Sequence, residues 1–174
     1  MEYAVLHAHD TYGSIGDSIL YIKDYVAKAK TLGIKHLAIT NHGSLATMVS
    51  FYEECKANNI NPIIGCEFYY VDNINVKDKK EKRNHLIVLA KNMNGVRNII
   101  QMHNQAMAEG FYYKPRIDFE MLKKWHADTI CLSACLAGRI PQLLVNDEHE
   151  AAFAEAKRFR DLYGSDFYLE LQPG

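Results

Sequence analysis

The chain has 174 residues, of which 48% are hydrophobic and 24% are charged, and its formal net charge is −1. This length suits one domain with a sizeable core, and the near-neutral charge excludes an overall basic field, so any nucleic-acid contact has to be local. No apolar run approaches the roughly 20 residues of a membrane helix, no signal peptide is evident, and four irregularly spaced cysteines suit a reducing cytoplasm, where we expect the protein.

The first predicted strand ends in two histidines. The apolar run 3–6 is typical of a β-strand, and residues two apart on a strand point to the same side. His7 and His9 would therefore project together from one strand end. Two imidazoles directed at one point can begin a metal site, although each could instead be an ordinary polar residue near the terminus.

The rest of the chain alternates predicted strands with predicted helices. Apolar residues at helical spacing follow each early strand, and glycine or asparagine closes the helices. The predicted strands are residues 3–6, 36–40, 62–67 with a possible extension to 71, 85–90, 129–133 and 166–171. Nearly continuous apolar strands that alternate with helices indicate the α/β class, with a parallel sheet covered by helices.

Further candidate metal ligands fall at the ends of these predicted strands. A (βα) barrel collects its functional side chains at the carboxyl ends of its strands. Four such ends carry His7, His9, His42, Glu67 and Cys135. Imidazole, carboxylate and thiolate together suit zinc or manganese and are too rich in nitrogen for calcium. Cys135 could equally be a small buried apolar residue.

Two polar segments are candidates for nucleic-acid contact. Residues 72–83 carry five basic side chains, which could contact phosphate, although an exposed flexible hairpin is the commoner explanation. Residues 111–116 interleave aromatic and basic side chains. Lys114 and Arg116 could hold phosphates there while the aromatic rings stack on bases, or the rings could fill a gap between layers.

Several segments resemble the PHP (polymerase and histidinol phosphatase) family: residues 7–9, 39–43, 63–67, 85–92, 110–116 and 132–138. The HxH and T(D/N)HG motifs are general to the family. The FYYKPR and LSxCLAG segments are similar to the branch found at the N-terminus of bacterial DNA polymerase III α subunits. The resemblance covers essentially the whole chain, so we expect residues 1–174 to be a single PHP domain.

The resemblance implies a distorted (βα)7 barrel that holds up to three divalent metal ions, Zn or Mn, at its strand ends. The implied ligands are His7, His9, Asp17, His42, Glu67, His85 and Cys135. Asp17 could be displaced, because the first loop is one residue longer than the family pattern. His85 begins its predicted strand, which in a parallel sheet is the end opposite the other ligands. Asn41 stands where the family usually has Asp.

The family also supplies a final Asp-x-His pair after a seventh strand, and this sequence stops after a sixth predicted strand. The resemblance therefore implies a barrel truncated to about six βα units, as in an N-terminal fragment of a longer polymerase.

The chemistry that the resemblance implies is metal-assisted hydrolysis of a phosphate ester. In the polymerase branch this corresponds to a 3′–5′ exonuclease-like activity within a protein that synthesises DNA. The implied partners are a DNA primer end, the remaining polymerase domains and a proofreading exonuclease subunit. Two alternatives stay open: a catalytically silent module that supports or docks parts of a polymerase, and a free-standing phosphatase of the histidinol-phosphatase type.

Overall fold

The computed structural model describes residues 3–172, and its strands form one seven-stranded sheet with helices packed against it. The strands are β1 Ala4–Val5, β2 His36–Ile39, β3 Asn61–Tyr70, β4 Asn84–Ala90, β5 Arg116–Ile117, β6 Thr129–Leu132 and β7 Phe167–Tyr168. The α-helices are α1 Ile22–Thr31, α2 Met48–Ala57, α3 Met93–Ala108, α4 Phe119–Trp125, α5 Arg139–Val145 and α6 His149–Tyr163. A 3-10 turn, Gly164–Asp166, connects α6 to β7.

The strand order is β1-β2-β3-β4-β6-β7, and β5 pairs with β3 outside this path. The sheet curls so strongly that its two outer strands approach each other: His7, just after β1, bonds Glu170, just after β7, at 2.7 Å. A mixed α/β fold with a curled half-barrel sheet is therefore confirmed, and the curl brings the strand ends together.

Strand β4 runs antiparallel to both of its neighbours, β3 and β6, so the prediction of a wholly parallel sheet is wrong at this strand. The reason lies in the connection, because no helix separates β3 from β4 and a parallel pair needs a long crossover, usually helical. The reversal pairs His85 with Tyr69. The first residues of β4 thus lie at the carboxyl end of β3, so the position of His85 at a strand start does not remove it from the candidate site.

Strand β5 lies inside the aromatic and basic loop and was not predicted. It pairs in parallel with Tyr69 and Tyr70 at the end of β3. Two residues are too few to show a strand periodicity in the sequence. The pairing holds the loop 111–116 against the strand that carries Glu67.

The core lies in layers between the sheet and its helices. One apolar cluster packs α1 and α2 against the first strands and includes Val26, Leu37 and Phe51. A larger cluster joins β3, β4 and β6 to α3–α6 around Phe68 and Phe159. Across residues 3–172, no helix is both long enough and apolar enough to cross a membrane.

An apolar groove opens between the outer strands and extends to His7 and Glu170 at the edge of the histidine cluster. Its volume is about 1360 Å³, and its lining includes Val5, Ile64, Val96 and Leu169. Within the described part of the chain, β1 pairs only with β2, and β7 pairs only with β6. The groove therefore lies beside two unpaired strand edges.

Candidate metal centre

Four imidazoles surround one buried carboxylate, that of Glu67, near the end of β3. Glu67 is fully buried. Its Oε2 lies 3.3 Å from His7 Nε2, 3.1 Å from His9 Nε2 and 3.1 Å from His42 Nδ1. Its Oε1 lies 3.0 Å from His85 Nδ1. Because the four histidines follow or begin three different strands, the curl of the sheet creates this cluster.

Extended backbone beyond the regular strands aims the histidines inward. Ala8 and Thr40 continue the pairing of β1 with β2, since the Thr40 amide donates to the Ala8 carbonyl at 2.8 Å. His7 and His9 flank Ala8 and therefore point to the same side. His42 continues β2 and forms an isolated bridge with Glu67. The predicted projection of both N-terminal histidines into one site matches this geometry.

The donor set fits divalent metal ions. His7 Nε2 and His9 Nε2 lie 3.1 Å apart. Two ligands of a tetrahedral zinc ion, each at about 2.0–2.1 Å, are separated by about 3.3 Å. His42 Nδ1 is buried and has no hydrogen-bond partner within residues 3–172, although a carboxylate oxygen of Glu67 is near. A buried nitrogen lone pair without a donor is suited to coordinate a metal.

The ligand atoms form three overlapping groups, and within each group they lie within 4.8 Å of one another. The groups are His7–His9–Glu67, His9–Asp17–His42 and His42–Glu67–His85. Each group could hold a divalent ion, and each pair of groups shares one residue, His9, His42 or Glu67.

Asp17 reaches this cluster from the loop between β1 and α1. Its Oδ2 lies 3.2 Å from His42 Nε2, and about half of its side chain is exposed. The additional loop residue therefore does not displace it. Asp17 is the most exposed member of the three groups and borders the solvent side of the site.

Cys135 lies beside His85 on the loop after β6. Its Sγ is 3.5 Å from His85 Nδ1 and 3.8 Å from Glu67 Oε1. The other three cysteines are buried, whereas Cys135 is half-buried. Cys135 therefore lies at the edge of the cluster, although it belongs to none of the three ligand groups.

Glu170 is a member of the site that sequence reasoning missed. Its Oε1 accepts a hydrogen bond from His7 Nδ1 at 2.7 Å, and its backbone amide donates to Ser133 Oγ at 2.8 Å. The sequence placed Glu170 inside a predicted strand, whereas β7 ends at Tyr168. Because the Glu170 carboxylate accepts a hydrogen bond from Nδ1, the imidazole proton of His7 lies on Nδ1, and the lone pair of Nε2 is free to face a metal.

A buried hydrogen-bond network behind His9 was also missed. Asp10 accepts from Asn41 Nδ2 and Thr47 Oγ1, each at 2.5 Å, and from two backbone amides. Burial raises the pKa of Asp10, but these hydrogen bonds outweigh burial and hold the pKa below its usual value. Asn41 Oδ1 accepts from Ser14 Oγ, which lies 3.3 Å from His9 Nδ1. An amide at position 41 can donate to Asp10, which a second carboxylate could not do.

The charges of the cluster are strongly coupled. Burial lowers the pKa of His7, but hydrogen bonds with Glu170 and Glu67 outweigh burial and raise the pKa to about 10. Burial also lowers the pKa of His85, but its hydrogen bonds with Cys135 and Glu67 outweigh burial and raise the pKa to about 9. Burial raises the pKa of Glu67, but its bonds with the histidines hold it well below the usual range. Without metal, His7 and His85 are therefore both protonated at neutral pH, and the ionised Glu67 carboxylate lies between them.

Metal binding by this protein is expected to strengthen as the pH rises. An imidazole binds metal only when deprotonated, and the raised pKa values of His7 and His85 keep both protonated at neutral pH. Below about pH 9, affinity should rise about tenfold per pH unit for each proton that is released. Calorimetric titration with Mn²⁺ in buffers of different ionisation enthalpy counts those protons. An affinity that does not change with pH, with no proton release, would contradict this protonation pattern.

The structure does not support the predicted phosphate contact of Arg116. Only 1% of Arg116 is exposed. Its guanidinium donates to the carbonyls of Gly110, Val76 and Ile74 and to Glu81 Oε2, at 2.6–3.0 Å. A guanidinium with these four internal bonds has no free face for a ligand. Arg116 instead connects the loop 111–116 to the segment 72–83 through these hydrogen bonds.

Lys114, the other residue predicted to contact nucleic acid, is exposed. Its Nζ lies 5.5 Å from the centre of the Tyr69 ring, and that ring lies 5.6 Å from the ring of His85. Lys114 is therefore placed at the edge of the candidate metal centre.

The sequence is similar to known proteins over nearly its whole length. The PHP domain family profile matches residues 6–174. DNA polymerase III subunit alpha of Chlamydia muridarum is 45% identical over 176 residues, covering 99% of this chain and 14% of that protein. The same subunit of Borreliella burgdorferi is 41% identical, covering 96% of this chain and 15% of that protein. The chain thus spans about one seventh of the length of these relatives.

One solved structure, a provisionally assigned metal-dependent phosphoesterase from Bifidobacterium adolescentis, resembles the fold weakly. Its TM-score is 0.42 at 20% identity, over 62% of this chain and 34% of that one.

Proposed function

Because this chain belongs to the PHP domain family and matches the N-terminal region of DNA polymerase III α subunits, we propose that it is the metal-dependent phosphoesterase domain of such a subunit. The substrate we propose is the 3′ end of a DNA strand. The observation that carries this proposal is the convergence of four imidazoles on the buried Glu67 carboxylate, in three overlapping ligand groups. The proposed ligands are His7, His9, Asp17, His42, Glu67, His85 and Cys135.

The bound ions, Zn²⁺ or Mn²⁺, would lower the pKa of a water molecule and neutralise phosphate oxygens. The residues of the chain prepare the site for this chemistry. Glu67 supplies a buried negative charge that attracts cations into the cluster. Glu170 and Ser14 bind the outer nitrogens of His7 and His9, which holds the inner nitrogens toward the site.

The His9→Ala variant tests this function. His9 belongs to two of the three ligand groups, so its loss should lower Mn²⁺-dependent nucleotide release at least about 100-fold. The substrate is a primer, labelled at its 5′ end, with an unpaired 3′ nucleotide. His149→Ala, at an exposed histidine on α6, is the matched control and should behave as the unmodified protein. Equal nucleotide release by His9→Ala, or none by the unmodified protein, would contradict the proposal.

A second function, packing against other parts of a polymerase, is favoured by a different feature. Large apolar side chains line the groove beside β1 and β7 and stay exposed, including Val49, Met93 and Leu169. Apolar surface of this extent commonly marks an interaction site. The regions of the relatives outside the matched part would supply the partner. This function predicts that metal removal changes folding or assembly, and that the protein has no intrinsic hydrolytic activity.

A further inference from the structure

Two basic segments meet beside the candidate metal centre. Arg116, in the second segment, donates hydrogen bonds to the carbonyls of Ile74 and Val76 in the first. Lys79 Nζ in the first segment lies 5.9 Å from the Tyr113 ring in the second. The two segments therefore form one surface, which we call the basic rim.

Tyr69 separates the basic rim from the metal cluster. It follows Glu67 by two residues on β3 and so lies on the same face of the sheet. Its ring is 6.0 Å from the His42 ring and 5.6 Å from the His85 ring. Lys114 Nζ lies 5.5 Å from the centre of the Tyr69 ring. One aromatic ring thus contacts both the imidazoles and a free ammonium group.

The backbone that carries Lys114 is fixed against the metal centre. Pro115 is buried and packs on Gly43, the residue after His42. A Cβ atom at Gly43 would lie 2.9 Å from Pro115 Cγ and 3.1 Å from a Tyr69 ring carbon, and its φ of 54° also favours glycine. This close approach holds the position of Lys114 before any ligand binds, which lowers the entropic cost of binding.

Arg83 places a second positive charge on the rim. It is half-buried, two residues before His85. Strand β4 begins at Asn84 and pairs His85 with Tyr69, so Arg83 lies at the strand end beside the part of β3 that carries this ring. Within residues 3–172 neither Arg83 nor Lys114 forms an ion pair, whereas Arg116 is paired with Glu81. Cations without a carboxylate partner are suited to bind an external anion.

We propose that Lys114 and Arg83 bind the phosphodiester of a nucleic-acid strand next to the bond that lies at the metal centre. Tyr113 is exposed on the same rim and offers a ring on which a base can stack. The role of these two cations in catalysis rests on the proposed phosphoesterase function. With them, the site would select a strand that carries further phosphates over an isolated phosphate monoester.

The test compares two double variants with the same change in charge. Lys114→Gln/Arg83→Gln removes both rim cations, and Lys23→Gln/Lys28→Gln removes two exposed cations from α1. Binding of a fluorescein-labelled single-stranded DNA is followed by anisotropy at several salt concentrations. EDTA is present, so that neither metal nor hydrolysis contributes. The rim variant should bind the DNA about tenfold more weakly than the unmodified protein. Its slope of log affinity against log salt concentration should be smaller by about 0.7 for each phosphate that it no longer neutralises. The α1 variant should match the unmodified protein in both respects.

Equal losses in the two double variants, or no measurable binding by the unmodified protein, would overturn the proposal. The proposal would also be overturned if polyglutamate displaced the labelled DNA as well as unlabelled DNA of the same total charge does. The rim would then recognise negative charge in general and not a phosphodiester. Calorimetric titration with Mn²⁺ separates this proposal from the proposed function. Absence of metal binding, together with rim-dependent DNA binding, would reject the phosphoesterase function and keep the rim.

Discussion

Replacing Glu67 by glutamine is expected to weaken the binding of Mn²⁺ or Zn²⁺ by about 100-fold or more. Loss of a partner that only orients a ligand costs about 10- to 100-fold in metal affinity, and Glu67 itself is shared by two of the three ligand groups. Glutamine keeps the size of the side chain but removes the negative charge. It also replaces one metal-binding oxygen by an NH₂ group that has no lone pair to offer.

The thermal unfolding of the variant and of the unmodified protein, with and without metal, measures this effect. At a metal concentration 100 times the dissociation constant of the unmodified protein, bound metal adds about 2.7 kcal/mol to the free energy of unfolding. Glu67→Gln should gain less than about 0.5 kcal/mol at that concentration. Glu53→Gln, at an exposed position on α2, is the matched control and should gain the full amount. A full gain by Glu67→Gln would contradict the assignment of Glu67.

Replacing Arg116 by methionine is expected to lower the free energy of unfolding by about 3–5 kcal/mol. Removal of one partner from a largely buried ion pair has about this cost, because the buried carbonyls and the partly buried Glu81 carboxylate lose their donor. Three backbone carbonyls and Glu81 would lose their donor, while methionine keeps most of the side-chain volume. The loss is therefore one of hydrogen bonds and charge rather than of packing.

Urea denaturation, followed by circular dichroism without metal, measures this change in stability. Arg160→Met is the control because Arg160 is exposed on α6, and it should change the free energy of unfolding by less than about 0.5 kcal/mol. A loss below about 1 kcal/mol in Arg116→Met would show that water or other side chains satisfy the groups that Arg116 leaves.

The part of the site predicted from the sequence depended on local rules. Alternation along a strand placed His7 and His9 on one side, and a strand end identified His42. Glu67 was also predicted at a strand end, but β3 continues beyond it to Tyr70. These rules need only a strand and its boundary, and both are visible in short apolar runs. The alternation of strands and helices indicated the α/β class for the same reason.

The features that the sequence did not predict depend on pairing between distant residues. The direction of β4 determines where His85 lies, and pairing across the sheet decides that direction. Arg116 appears in the sequence as one more cation in a basic loop, because its partners at Ile74 and Glu81 are more than thirty positions away. Glu170 was missed because β7 is only two residues long, so its strand end could not be located.

We expect one cluster of side chains at the curled sheet edge to hold more than one divalent ion. Anomalous diffraction from crystals of this protein soaked in Mn²⁺ or Zn²⁺ locates each bound ion and so decides this question. We expect peaks at two or more of the three groups, with Glu67 contacting at least one of the ions. Peaks confined to other surfaces, or no peaks at a metal concentration that saturates calorimetric binding, would contradict the claim.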